Sequence, residues 1–504
     1  MDNEISMKFK AERFRERLES LLKKFPPNQY AEVASMKIHD SFQNHRLMGR
    51  YPIHFLLHSI QANCGFYNTN RTEVLTEKKL QQVLNHYRQY FDPVAEYFLT
   101  KEDGVEPFFI NLQRQQFFAQ RSQGVNSIGR AILLFTENHY PKSEKYVMDT
   151  YGISFIEWLQ IGFSISSVIY KQGKGIPLPR FLQLYQRLAS RHTMNSFFNL
   201  NSISPVEIKE FNRKIDEKVG QTFSLFFETY LQGVFVEKPM LKLHETDYLI
   251  VHEELFMEKA TNGIYDLCKK DIQSDFGMEF GHHFEGYIIT LLKEFLPHKH
   301  VFTEKQLRNL TVKKICDVML VFDDYIFLIE CKGIEYSAYI ATENSMKSDN
   351  SSRKISNGFD QLCSAVNLIN GGVFESLIGE HHNKKVIAAV VTYKQLYMAN
   401  TKWYYENNIL PNMKSEKGSM EQLFSLRPQI MSVEELELLL TTAKNNNSKS
   451  YYEIFHERLA QGDHFLQGDW VGYLNRGNGV ITLLQNALDK FTEELKLKLQ
   501  SDNA

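Results

Sequence analysis

The sequence predicts an α+β or α/β chain: a helical N-terminal region, a core of order αβββαβ, and a helical C-terminal tail. Three observations lead there. The first half carries apolar residues at helical spacing. Residues 313–333, KKICDVMLVFDDYIFLIECKG, read as two apolar strands around the polar pair Asp323-Asp324. The run VIAAVVTY at 386–393 has the composition of a strand buried on both faces.

The chain's 504 residues suffice for two to four domains. With 23% charged and 43% hydrophobic residues it reads as globular and not disordered. A net charge of −2 gives no bulk attraction to nucleic acid, so such a site would have to be a local basic patch. The five cysteines are scattered and form no C-x-x-C pair, which argues against a disulfide framework or a zinc ribbon. Met1–Phe25 is charged and periodic, unlike a leader peptide. Phe155–Tyr170 contains Glu157 and Gln160 and falls short of a membrane span. The expectation is a cytoplasmic protein with no membrane partner.

Residues 1–232 read as a mostly helical domain of unassigned role. Met7, Ala11, Phe14, Leu18, Leu21, Leu22 and Phe25 form one helical stripe, ended by Pro26-Pro27. Its basic opposite face is interleaved with glutamates and reads as solvated. Further helices are expected at Val74–Phe91, stopping before Pro93, and at Arg130–Glu137, Phe155–Lys171, Leu178–Arg191 and Pro205–Leu231. Gly173-Lys174-Gly175 is too short for a phosphate cradle. His39-Asp40 lacks the further spaced ligands that a metal phosphohydrolase needs. Residues 233–271 read as a connecting hairpin, Leu241–Leu243 with Tyr248–Val251, and a helix at Ala260–Lys270.

In residues 272–435, Phe280–Phe295 is an amphipathic helix with Glu285 at the edge of its apolar stripe, followed by a strand at Val301–Leu307. Asp323 and Asp324 as the two turn residues pair Phe322 with Tyr325 and set Asp317 opposite Glu330. Strand alternation then puts Glu330 and Lys332 on one face and Phe327, Ile329 and Cys331 on the other. Directly opposed residues have Cβ atoms roughly 5 Å apart, close enough for both carboxylates to hold one ion. A polar segment follows at Ser337–Lys354, with Lys347, Arg353 and Lys354 as candidate phosphate contacts. Gly358–Asn370 is a helix carrying Gln361. Ser432-x-x-Glu435 is a capping box opening a helix at Val433–Ala443. Residues 436–504 read as the helical tail, with helices at Tyr451–Leu459 and Val480–Leu499.

Two acids and a lysine at the end of a buried sheet are costly for the fold, and that calls for a chemical reason. A hard divalent cation binds carboxylate oxygens, and a neighbouring lysine can orient water or stabilise developing charge. Asp317, twelve residues, then Glu330-Cys331-Lys332 resembles the core motif of the PD-(D/E)XK nuclease superfamily, which has the restriction-endonuclease-like fold. The decoys Glu207-Ile-Lys209 and Asp216-Glu217-Lys218 have neither an upstream Asp at suitable distance nor a strand pattern. Cys316 stands where that family's name-giving Pro would be. The resemblance covers about residues 272–435.

It implies a mixed central sheet and a Mg²⁺-dependent nuclease, with Mn²⁺ able to substitute. Asp317 and Glu330 would be metal ligands, Lys332 would orient or activate water, Glu285 would assist with a second metal or a metal-bound water, and Gln361 would support the lysine or the substrate. It implies nucleic acid as partner, DNA before RNA, and a setting such as bacterial defence or restriction. The helical half is then a candidate platform for a protein partner or activator, and a homo-oligomer is left open. The rival reading is a catalytically silent nucleic-acid-binding or scaffold module, which would have no reason to keep all three residues.

Overall fold

The computed structural model describes residues 2–66, 71–99, 124–136, 139–172, 187–219, 233–244, 247–297, 300–335, 350–379, 384–414, 427–445, 449–460, 469–474 and 479–500. It is a mixed α+β protein with two mixed sheets, of three and five strands, and no barrel among the described residues. None of its described helices is long and apolar enough to cross a membrane. The chain forms two compact units. One is residues 1–124, 141–271 and 489–504; the other is residues 125–140 and 272–488.

The first unit is built on helices. Asp2–Leu22 buries Met7, Ala11, Leu18 and Leu22 along the stripe its sequence prescribes. Pro27 occupies the first turn of the next helix, Pro27–Gln43, so the Pro-Pro pair ends one helix and opens another. Leu22, Phe25, Tyr30, Ile38, Leu56, Ile60 and Leu84 belong to one buried apolar cluster. Glu77–Leu99 does not stop before Pro93 as expected but continues through it. The proline costs one helical hydrogen bond, and its ring is buried, which recovers apolar contact in exchange. The small sheet pairs Ser202–Ile203 parallel with Met240–Lys242, which pairs antiparallel with Tyr248–Ile250. Arg191–Asn201 is a helix capped by the Ser190 side chain, where the sequence reading ended one. The expected helix at Leu178–Arg191 lies mostly outside the described residues, as do the end of the one at Pro205–Leu231 and Gly173-Lys174-Gly175.

Elements of the second unit are labelled here in chain order: α1 (Val125–Phe135), α2 (Ser274–Phe295), β1 (Val301–Thr303), β2 (Val318–Val321), β3 (Tyr325–Lys332), α3 (Asn350–Asn370), β4 (Lys385–Thr392), β5 (Gln429–Ser432), α4 (Val433–Asn445) and α5 (Tyr451–Ala460). The sheet order is β1-β2-β3-β4-β5. The first two pairings are antiparallel and the last two parallel. Val318 pairs with Ile329 and Val321 with Ile326, the register that a two-residue turn at Asp323-Asp324 requires. On one face, α3 approaches so closely that a Cβ on Gly358 would sit 3.2 Å from Glu330 Cγ and from Val390 Cγ2. On the other, Phe327 packs on Phe455 of α5 at 5.1 Å between ring centroids. Phe280 and Phe284 of α2 pack against Tyr393.

Three local expectations change. The strand expected at Val301–Leu307 ends at Thr303, because Thr303 and Gln306 form a capping box that opens the short helix Glu304–Leu307. The segment expected as a loop to Lys354 is helical from Asn350, so Arg353 and Lys354 sit in the first turns of α3. Strand β5 was not read from the sequence; its four residues are too few to show a period. The Ser432–Glu435 box is formed, with Glu435 Oε2 accepting from the Ser432 backbone at 2.8 Å.

Arg130 of α1 donates to Glu437 Oε1 of α4 at 2.6 Å, and Tyr287 of α2 donates to the same oxygen at 2.7 Å. All three side chains are buried. Replacing Arg130 with Met would strand the Glu437 carboxylate without its counter-charge, at a cost of about 3–5 kcal/mol. The double variant R130M/E437M should recover most of that loss. Urea unfolding of the three variants against wild type measures both; a single-variant loss indistinguishable from zero would remove the ion pair from the account of this core.

Candidate functional site

Glu330 is the sixth residue of β3 and wholly buried. Its neighbours explain how the chain tolerates it. Lys332, two residues on and therefore on the same face, donates to Glu330 Oε1. Gln361 of α3 donates to that oxygen at 2.6 Å and reaches the Ile315 carbonyl at 3.3 Å. The other oxygen, Oε2, is buried with no hydrogen-bond partner. Asp317 stands just before β2, where the register places it opposite Glu330, and its Oδ2 accepts from the Cys331 backbone N–H at 2.6 Å. Glu304 donates its backbone N–H to the Asp317 carbonyl at 2.7 Å, fixing the approach to β2.

The electrostatics describe a group short of positive charge. Burial, and then the Asp317 carboxylate, push Glu330 up to about 8, against the pull of Lys332. Burial, Asp317 and Glu304 push Glu285 up to about 7. Asp317 is also raised, chiefly by burial, with the Cys331 N–H and Lys332 working against it. Burial disfavours charge on Lys332, but Glu330 and Asp317 outweigh it and hold the ammonium above its ordinary value. Thus three carboxylates and the nearby Glu304 share one close lysine.

The structure bonds Glu330, Lys332 and Gln361 together, ties Asp317 to the Cys331 backbone beside them, and puts Glu285 within electrostatic reach of Asp317 and Lys332. Arg353 and Lys354 are exposed on α3, and Lys354 lines a cleft beside Lys332. Lys347 lies outside the described residues. The cleft has a volume of about 680 Å³ and is also lined by Lys314, Lys414 and Gly281. Sequence reasoning passed over these residues. Lys314 could have been found as a cation three residues ahead of Asp317. Lys414 has no local signal, since only the fold carries it there.

The residues fit a hard divalent cation. A buried carboxylate oxygen without a partner and acids that raise one another's pKa are relieved by a positive ion. No three His, Cys, Asp or Glu side chains among the described residues converge as a closed ligand set. Mg²⁺ does not demand one, because it ordinarily takes one or two carboxylates and completes its shell with water and substrate phosphate. No protein-family model matches the chain, nor does any curated protein or solved structure.

The raised Glu330 pKa makes stability depend on pH. An acid whose folded pKa lies above its unfolded value supports the fold below the unfolded pKa, and that support is lost as pH rises through the folded one. For Glu330 the window runs from the ordinary 4.5 to about 8. Cation-free wild type should therefore lose thermal stability across it. Glu330→Gln, which cannot ionise, should flatten the profile and melt higher than wild type at pH 8. Parallel profiles for the two proteins would remove the buried ionisation from the account.

Proposed function

We propose that the chain is a Mg²⁺-dependent nuclease that hydrolyses phosphodiester bonds, DNA before RNA, through a restriction-endonuclease-like core. The observation that carries this reading is the group around Glu330: a partnerless buried carboxylate oxygen, Asp317 opposite it in register, and Lys332 on the same face. The order α2, β1, β2, β3, α3, β4 and the mixed sheet support it. Asp317 and Glu330 would hold the cation, with Glu285 at the edge of the group. A bound divalent cation supplies charge neutralisation at the phosphate and a lowered pKa for water. Lys332 orients the attacking water or stabilises the charge that develops on the phosphate. Gln361 keeps Glu330 Oε1 directed and leaves Oε2 free to act. The exposed helical faces of the first unit leave room for an activator or partner, as does a defence role.

The test is cleavage of supercoiled DNA, linear DNA and RNA with Mg²⁺, Mn²⁺ or EDTA. Wild type should cut with either ion and not in EDTA. Glu330→Ala and Lys332→Ala should each lose on the order of 10²-fold or more in rate, and Glu285→Gln less. Variants that fold and cut like wild type would falsify the assignment. A wild type that binds nucleic acid but never cuts it would favour the silent binding module.

A further inference from the structure

The cleft beside Lys332 gathers charge against the trend of the chain. The protein as a whole carries −2, yet among the described residues four lysines line this one cleft with one lining carboxylate, Asp360; Lys332 is bonded to Glu330, and Lys314, Lys354 and Lys414 are exposed. Lys314 precedes β2, Lys332 ends β3, Lys354 lies in the first turns of α3, and Lys414 follows the turn at Leu410–Asn412. They come from separate segments, so no local run of charge accounts for their meeting. Like charges gathered round one space repel, and an anion entering it relieves that repulsion. Asp360 supplies one negative charge among them, and both its carboxylate oxygens accept from the Lys414 backbone N–H, at 3.1 and 3.3 Å, which holds the Lys414 segment at the rim.

The facing wall is bare helix. Gly277 and Gly281 lie one turn apart in α2 and both line the cleft. A Cβ built on either would meet nothing within 4 Å, and neither has a positive φ. Packing and backbone conformation therefore give no reason for glycine at these positions, although each weakens the helix relative to alanine. This contrasts with Gly129 and Gly263, where a Cβ would strike a neighbour at 2.4–2.5 Å. What the two glycines do provide is width beside the lysines. Among the described residues the lining holds no aromatic ring on which a base could stack.

We infer that the cleft is a track for one sugar-phosphate strand, gripped through its phosphates by Lys314, Lys354 and Lys414 and admitted past α2 by Gly277 and Gly281. This rests on the nuclease reading and adds to it the mode of recognition. The strand is held by backbone charge, so binding is strongly salt-dependent and nearly indifferent to sequence.

The experiment measures equilibrium binding of fluorescein-labelled oligonucleotides of unrelated sequence, as single-stranded DNA, duplex DNA and RNA. It is run in Ca²⁺ across a salt series, with Mg²⁺ cleavage assayed alongside. Gly281→Leu, which puts a side chain into the track, should weaken binding at least tenfold while leaving the thermal midpoint unchanged or higher. Lys314→Ala and Lys414→Ala should each flatten the plot of log affinity against log salt by about 0.7–0.9. The DNA and RNA arms identify which polymer supplies the strand. Unchanged binding and salt slopes in all three variants, with cleavage intact, would overturn the track and leave the nuclease reading standing. Weakened binding in the variants of a protein that never cuts would support the track and overturn the nuclease reading. No binding by wild type to any oligonucleotide would overturn both.

Discussion

A carboxylate buried at the end of a central strand constrains everything around it. Glu330 cannot leave its face of the sheet without shifting the β2–β3 register, which would turn every apolar residue of β3 to the wrong side. Its neighbours are arranged accordingly. Lys332 and Gln361 both spend donors on Oε1. Gly358 lets α3 come down onto the Glu330 and Lys332 stems, where a larger residue would hold the helix off and carry Gln361 away. One oxygen is left without a partner, and burial keeps the group protonated toward neutral pH. A fold selected for stability alone would place an apolar side chain here, because a buried acid with one oxygen unsatisfied lowers stability at the pH where proteins work.

The parts of this arrangement that were legible in the sequence are those fixed by short-range rules. Strand alternation put Glu330 and Lys332 on one face, and the two-aspartate turn set Asp317 opposite Glu330. The stripe of α2 and the box at Ser432 were equally local. What escaped depended on competition or on distance. Thr303 and Gln306 turned an expected strand into a helix after three residues because a cap outweighed strand propensity over so short a run. The start of α3 was hidden by serines and asparagines, which disfavour helix in isolation. Here Ser352 and Ser356 are buried, bonding to Tyr404 and to the Ile409 carbonyl. The lysines of the cleft were invisible for a third reason: only the folded chain brings positions 314, 354 and 414 to one place.

The same distinction separates the two kinds of charge at this site. Glu330 is buried near the end of β3, Asp317 is half-buried just before β2, Glu285 is half-buried on α2, and all three have raised pKa values. The site's lysines, apart from Lys332, are exposed at the cleft. A polyanion lying along the lysines would bring its phosphate toward acids that repel it once ionised. Protonating the acids would remove the repulsion but leave little to activate water. A divalent cation resolves the conflict, since it ionises the acids by binding them and presents positive charge to the phosphate. On the proposed reading, cation and strand therefore favour each other's binding through this shared charge deficit, with no conformational change needed. Lys332 touches both sides of that balance, bonded to Glu330 and lining the cleft. An arginine in its place would keep the charge, but its planar fork is too broad for a compact ammonium's position between Glu330 and α3.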